Sequence, residues 1–192
     1  MHKYLPNIFI FLDHYNSDVF NKKNLNIGII YRNYNDKNRE NQLIKIAEGC
    51  KKCSYKLFVS NDIKLVHKFK ADGIYIPSFN KAKKFLNLEK KNVLIVGSAH
   101  NQKEIYEKKL QKCLAIFISP IFNIKKSKTF LELHRFNYLS RVNNINAFGL
   151  GGISEKNIKR LKLFNICGFG GIRIFKKKPA SKRPVFIKNK FF

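Results

Sequence analysis

Three glycines fall within four residues in "NAFGLGGISEKN", at Gly149, Gly151 and Gly152, and Ser154 follows them. Glycine removes the side chain where backbone N–H groups must approach an anion, and a helix N-terminus adds partial positive charge. Gly170 and Gly171 repeat the pattern just ahead of Arg173. The chemistry this points to is phosphate binding. The same glycines also suit a tight turn and close strand–helix packing, and both readings stand. His100, in "VGSAHN", is of the type that shuttles a proton near neutral pH, or else is an ordinary polar residue at a helix start. Asp62 is a carboxylate suited to a hard cation, or to the first turn of a helix. Arg32 is a cation for an anionic group or a solvated surface charge. "CKKC" (Cys50–Cys53) has redox or zinc spacing, but Cys113 and Cys167 are isolated and the motif closes a helix instead of opening one. It is read as incidental.

Such residues need elements to hold them. Short apolar runs of strand length alternate with polar stretches of helical length. The strand candidates are 7–12, 26–31, 55–60, 73–77, 92–97, 114–119, 146–150 and 167–175. Helices are expected over Asp36–Cys50, over Asn61–Lys70 with Asn61 as cap, over Asn101–Lys112 with Asn101 as cap, and over Ser154–Phe164 with Ser154 as cap. In the last of these Ile158, Leu161 and Leu163 form the apolar face. Continuously apolar strands, each followed by a helix, imply a parallel sheet, and eight such units imply a compact, single-domain (β/α)8 TIM barrel of the α/β class. The runner-up is an open doubly wound sheet. The barrel is expected over residues 1–175, with a basic tail over 176–192.

In a barrel, function gathers at the carboxyl ends of the strands. That face would carry Arg32 and Asn33, Asn61 and Asp62, Pro77 to Asn80 including Ser78, Ser98 to His100, Asn123 to Lys128 including Lys126, Gly151 to Ile153, and Arg173. The set offers cations, one carboxylate, amides, hydroxyls and glycines. It has neither the paired carboxylates of glycoside chemistry nor a His/Cys cluster for zinc.

The chain has 192 residues, enough for one domain with a proper core, and no apolar run reaches membrane-spanning length. The start, "MHKYLPNIFIFLDH", reads as a first strand and not a signal peptide. Four cysteines without a framework spacing fit a reducing, cytoplasmic setting. The formal charge of +27 attracts anions, whether nucleic acid or phosphorylated small molecules. Dispersed lysine with abundant Asn, Ile and Phe is also what AT-rich codons produce.

Several segments together resemble the thiamine phosphate synthase family and its thiazole-tautomerase relatives. "GLGGISEKNI" resembles the family's Gly-Gly-Ile phosphate loop, "VGSAHN" its Ser-Ala-His segment, and "SPIFNIKKSK" its Gly-Pro-Ile-Phe loop with a following Lys. "VSNDIKLVHKFKADGIYI" matches its Asn-Asp, helix, Ala-Asp-Gly pattern. The resemblance covers nearly residues 7 to 175. It implies a TIM-barrel transferase joining a hydroxymethylpyrimidine diphosphate to a thiazole phosphate, with release of pyrophosphate and a requirement for Mg2+. Carried over by position, Asp62 would be a metal ligand with Asn61 beside it and Asn80 near the place of a second metal-binding Asp. Arg32 would contact the diphosphate, Ser98 would sit against it, and a Lys among Lys125, Lys126 and Lys128 would neutralise the leaving group. Gly151 and Gly152 would hold the thiazole phosphate.

The chain departs from this pattern in several places. Synthases carry Gln-x-Arg-x-Lys after strand two, and "IYRNY" (Ile30–Tyr34) keeps only the Arg. "YIPSFN" (Tyr75–Asn80) replaces a His-x-Gly-Gln segment and the Asp behind it, Ser119 replaces a Gly, and Arg173 a Ser. Two alternatives follow. One is a tautomerase-like isomerase, with His100 as acid–base, or a degenerate phosphate-binding barrel. The other is a non-enzymatic basic nucleic-acid-binding protein, which the placement of aromatics inside apolar strands disfavours. The tail, "KKKPASKRPVFIKNKFF", would be a solvated cationic terminus or a contact for RNA, anionic lipid or a neighbouring surface.

Overall fold

A computed structural model describes residues 4–21, 23, 26–85, 92–124 and 130–172. Eight parallel strands close into a barrel in sequence order, each paired with its neighbours and β8 with β1. They are β1 (Ile8–Leu12), β2 (Ile27–Tyr31), β3 (Lys56–Ser60), β4 (Gly73–Ile76), β5 (Leu94–Ala99), β6 (Ala115–Ile118), β7 (Ala147–Leu150) and β8 (Gly168–Gly171). Among the described residues four α-helices pack outside: α1 (Arg39–Cys53), α2 (Ile63–Lys68), α3 (Gln102–Leu110) and α4 (Leu133–Val142). The open doubly wound sheet is thereby set aside.

A strand turns alternate side chains to opposite faces. Phe9 and Phe11, Ile30, Phe58, Tyr75, Leu94 and Val96, Phe117 and Phe148 point into the barrel and form one buried cluster. Their neighbours Ile10, Leu12, Ile29, Tyr31, Leu57, Val59, Ile74, Ile76 and Ile95 point outward into a layer shared with α1 and α2. A second outer layer gathers Ile116, Ile118 and Ala147 with Ile105, Phe136 and Leu139 from α3 and α4. Inside, Phe9 meets the rings of Phe58, Phe117 and Phe148 edge-on, with centroids 5.1–5.5 Å apart. Edge-to-face contacts of this kind stabilise aromatic clusters beyond the area they bury.

The helices differ from the expected set in physically traceable ways. The cap of α2 is Asp62, whose carboxylate accepts from the Leu65 N–H (3.1 Å), because Asn61 is held in the left-handed region at φ 61°. Asn101 caps α3 as expected, accepting from Glu104 N–H (2.9 Å). α1 begins at Arg39 and runs on through Cys53, placing both cysteines of the "CKKC" motif in its last turns, buried and free. α4 has no counterpart among the expected helices, since Glu132 starts it without a side-chain cap and leaves no sequence signal. Ser154 caps no α-helix. The segment after it becomes a 3-10 helix over Ile158–Leu163. Its buried residues Ile158 and Leu161 lie three positions apart, the repeat of a 3-10 helix, with Phe164 buried just past its end, whereas Leu163 points into solvent.

Candidate active site

The inward line of each strand continues past the apolar core into the polar mouth. Two residues beyond Phe11 stands Asp13, beyond Ile30 Arg32, beyond Phe58 Ser60, beyond Val96 Ser98 and then His100, and beyond Phe117 Ser119. The period of two that packs the core thus also aims the site. A cavity of about 470 Å³ opens there, lined among others by Asp13, Arg32, Asn33, Tyr34, Tyr75, Ser78, Phe79, Ser98, His100, Ser119 and Leu150. That volume suits a small organic ligand.

The Arg32 guanidinium donates from Nε to Asp13 Oδ1 (3.0 Å) and lies 5.8 Å from the centre of the Phe11 ring. It is fixed from below and beside, and among the described residues its other two nitrogens take no hydrogen-bond partner. The Tyr75 hydroxyl donates to Ser98 Oγ (2.8 Å), and burial pushes the Tyr75 pKa up to about 12, so it stays a neutral donor. Ser98, itself buried, is left with its own O–H to give to a ligand oxygen. His100 Nδ1 lies 2.8 Å from the Ser119 carbonyl oxygen. A carbonyl only accepts, so Nδ1 carries a proton, and Nε2 is the nitrogen turned away from that contact. The His100 backbone N–H donates to Glu104 Oε2 (2.8 Å), tying this arrangement to the start of α3.

Asn61, Asp62 and Asn80 gather beside this cavity at the ends of β3 and β4. The Asn80 carboxamide donates to Asn61 Oδ1 and accepts at Oδ1 from Ala82 N–H (2.7 Å). The second oxygen of Asp62 lies 3.4 Å from Arg39 Nη1, and Arg39 Nη2 donates to the Ser60 carbonyl (3.1 Å). Among the described residues no three His, Cys, Asp or Glu side chains cluster as a ready metal site. The donor set is nevertheless one of hard oxygens, with the Asp62 carboxylate about one-third exposed. Mg2+ takes one or two carboxylates and completes its shell with water and substrate phosphate, and this set fits that partial role. Arg39 competes for the same carboxylate.

Gly151 and Gly152 take φ values of 90° and 74°, conformations that side chains resist. A Cβ on Gly152 would lie 2.5 Å from the Phe122 carbonyl oxygen, so the β6 loop leaves no room for one. The Asn157 side chain closes the loop, donating to the Gly152 carbonyl (2.8 Å) and accepting from Ser154 N–H (2.8 Å). Part of the glycine requirement is therefore turn and packing. Among the described residues none accepts from the N–H of Gly152 or Ile153, which leaves those donors available.

Of the expected site residues, Arg32, Ser78, Ser98 and His100 line one cavity; Asn61, Asp62 and Asn80 form a group beside it; Gly151 and Gly152 follow its Leu150 wall. Lys125, Lys126, Lys128 and Arg173 lie outside the described residues, as does the tail over 176–192. Sequence reasoning missed Asp13, Tyr34, Tyr75 and Arg39, and included Phe79 only within the Pro77 to Asn80 stretch. For Asp13 a signal existed, since it sits two residues past Phe11 on the same inward line. For Arg39 none did, because its contact with Asp62 spans 23 residues.

A closed parallel barrel with a guanidinium, hydroxyls and an imidazole converging at the strand carboxyl ends defines a (β/α)8-barrel protein with its site on the usual face. The family model described as "Thiamine monophosphate synthase" matches residues 23–174, and the chain belongs to that family. The thiamine-phosphate synthase of Prochlorococcus marinus subsp. pastoris is 30% identical over 139 residues, covering 69% of this chain and 38% of that protein. Another, from Prochlorococcus marinus strain SARG, is 28% identical over 135 residues, covering 64% of this chain and 38% of that protein. The chain thus spans about two fifths of the length of these curated relatives. Among solved structures, the thiamine phosphate pyrophosphorylase from Pyrococcus furiosus superposes with a TM-score of 0.71 at 14% identity, over 89% of this chain and 87% of that one, a likeness of fold. No helix among the described residues is long and apolar enough to cross a membrane.

Proposed function

We propose that this chain is a cytoplasmic transferase of thiamine biosynthesis that joins a hydroxymethylpyrimidine diphosphate to a thiazole phosphate, giving thiamine phosphate and pyrophosphate. The observation that carries this reading is the convergence of Arg32, Ser98 and Tyr75 on one cavity at the mouth of a barrel of this family. The bond between the pyrimidine methylene carbon and the diphosphate oxygen breaks, and the oxygen keeps the electron pair. The thiazole nitrogen lone pair then closes a new carbon–nitrogen bond. The protein's part is to stabilise negative charge on the departing oxygens and to hold the two rings in line. Arg32 supplies a guanidinium fixed by Asp13, and Ser98 a hydroxyl oriented by Tyr75. Gly151 and Gly152 hold the thiazole phosphate through backbone N–H groups, with Ser78 on the wall of the cavity. By family resemblance a Lys among Lys125, Lys126 and Lys128 neutralises the leaving group, and Arg173, where the family has a Ser, adds a cation of this chain's own. Asp62, with Asn61 and Asn80, would hold Mg2+, which supplies charge neutralisation on the diphosphate when bound.

The test is an assay with the pyrimidine diphosphate, the thiazole phosphate and Mg2+, following pyrophosphate and thiamine phosphate together. Equal amounts of both products, dependent on both substrates, are expected. Absence of turnover at saturating concentrations overturns the reading. A second reading, proton transfer on a thiazole phosphate, rests on His100, which lines the cavity with its Nδ1 held by the Ser119 carbonyl. Uptake of deuterium from D2O into the thiazole phosphate without pyrimidine diphosphate would favour it. A nucleic-acid-binding role is disfavoured because most of the strand phenylalanines, among them Phe9, Phe11, Phe58, Phe117 and Phe148, are buried in the barrel and offer no face for stacking.

A further inference from the structure

Phe79 is the most exposed large apolar side chain among the described residues, at 67% of its surface, and it stands on the rim of the catalytic-face cavity. A single exposed Phe is ordinary on a protein surface. This one is not isolated. Tyr34, from the end of β2, meets it across the rim with ring centroids 5.9 Å apart and planes at 77°. Tyr34 is anchored, because the fully buried Ser60 hydroxyl donates to its Oη (2.9 Å). Arg32 lines the same cavity two residues earlier in the chain. Two rings at right angles make a corner in which a third planar ring can lie flat on one and meet the edge of the other.

The position of the corner narrows what it takes. It belongs to the ends of β2 and β4, and in the closed strand order β7, with Gly151 and Gly152 after it, lies across the mouth. A ligand phosphate held by those glycines belongs to a different molecule or a different end. Tyr34 also stands where the family pattern puts the Lys of Gln-x-Arg-x-Lys, so a cation has given way to a ring.

We propose that Tyr34 and Phe79 form a stacking corner for the planar heteroaromatic ring of the diphosphate substrate, so that this chain holds that substrate by its ring as much as by its phosphates. The inference rests on the synthase reading for the identity of the ring, and on the geometry alone for the existence of the corner. Removing one stacking partner from a base typically costs enough to weaken binding by about 10-fold.

The chain contains no tryptophan, so Phe79→Trp places a single fluorophore at the corner. Titration with the hydroxymethylpyrimidine diphosphate should change its emission, and inorganic pyrophosphate should not. In calorimetry, Phe79→Ala should raise Kd for the pyrimidine diphosphate by about 10-fold and leave that for pyrophosphate unchanged. Unchanged melting is expected, since the ring is mostly in solvent. Turnover with equal pyrimidine diphosphate affinity in wild type and Phe79→Ala overturns the corner and leaves the synthase reading standing. No turnover, with the indole still answering the pyrimidine ligand and ignoring pyrophosphate, keeps the corner and removes the synthase reading. An indole silent to the pyrimidine diphosphate overturns the corner outright.

Discussion

Arg32 and Ser98 each reach the cavity with a partner behind them, Asp13 at 3.0 Å and Tyr75 at 2.8 Å. Neither Arg32 nor Ser98 belongs to the apolar core cluster, so truncation of these two donors should strike turnover and spare the fold. Arg32→Ala and Ser98→Ala are each expected to lower kcat by about 100-fold, in line with the loss of one preorganised donor to developing negative charge. Thermal melting should move little. Asp62 presents a different balance. Its carboxylate is divided between the α2 cap and Arg39, at 3.1 and 3.4 Å. Any Mg2+ must share it with a guanidinium that has one nitrogen, Nε, buried without a partner. Arg39→Met should therefore tighten Mg2+ binding in the presence of pyrophosphate several-fold, measured by calorimetry. Unaltered Mg2+ affinity would show that Asp62 is a cap and nothing more.

At the scale of elements, the loop after β4 is held from beneath by α3. Lys108, fully buried, donates to the Asn80 carbonyl (2.7 Å) and to Gln111 Oε1 (2.8 Å), while Gln111 Nε2 donates to the carbonyls of Asn80 (3.0 Å) and Ala82 (2.9 Å). Gly97 makes space for it, since a Cβ there would lie 2.8 Å from Lys108 Cδ. Burial lowers the Lys108 pKa below its ordinary value. The folded protein therefore gives up this proton at a lower pH than the unfolded chain does. Between the lowered value and the ordinary lysine value the unfolded state binds more protons, so this group makes stability rise with pH in that window. Lys108→Met should remove that rise in denaturant titrations at alkaline pH, and amide exchange at Asn80–Ala82 should quicken. The glycine loop after β7 is a second such joint. Gly152→Ala would force a methyl against the Phe122 carbonyl at a φ of 74°, and should cost about 1–3 kcal/mol in urea unfolding.

For the whole molecule, the chain carries a formal charge of +27 in 192 residues, and both proposed substrates are anions. Such a field raises the local concentration of phosphorylated ligands and is screened by salt. The KM for either phosphorylated substrate should rise as NaCl goes from about 0.05 to 0.5 M, with kcat much less affected. A KM indifferent to salt would mean that the lysines are spread over the surface without effect at the mouth.

The sequence by itself determined the barrel and the face on which its chemistry lies. Apolar runs such as "NIFIFL" and "NIGIIY" are recognisable because a strand buried on both faces must be continuously apolar, and the inward alternation through Phe11, Ile30 and Val96 runs on to Asp13, Arg32 and Ser98. Local rules sufficed there, because strand burial and side-chain alternation are set by near neighbours in the chain. They failed where the partner is distant. Asp62 as ion-pair partner of Arg39, Tyr34 against Phe79, and Lys108 under Asn80 join residues 23 to 45 positions apart. The 3-10 helix after Ser154 and the uncapped α4 likewise answer to what they pack on. Only the packing of neighbouring strands and helices brings such groups into contact, and so only the tertiary structure decides which carboxylate is shared, which cation is spent, and which ring is left facing the cavity.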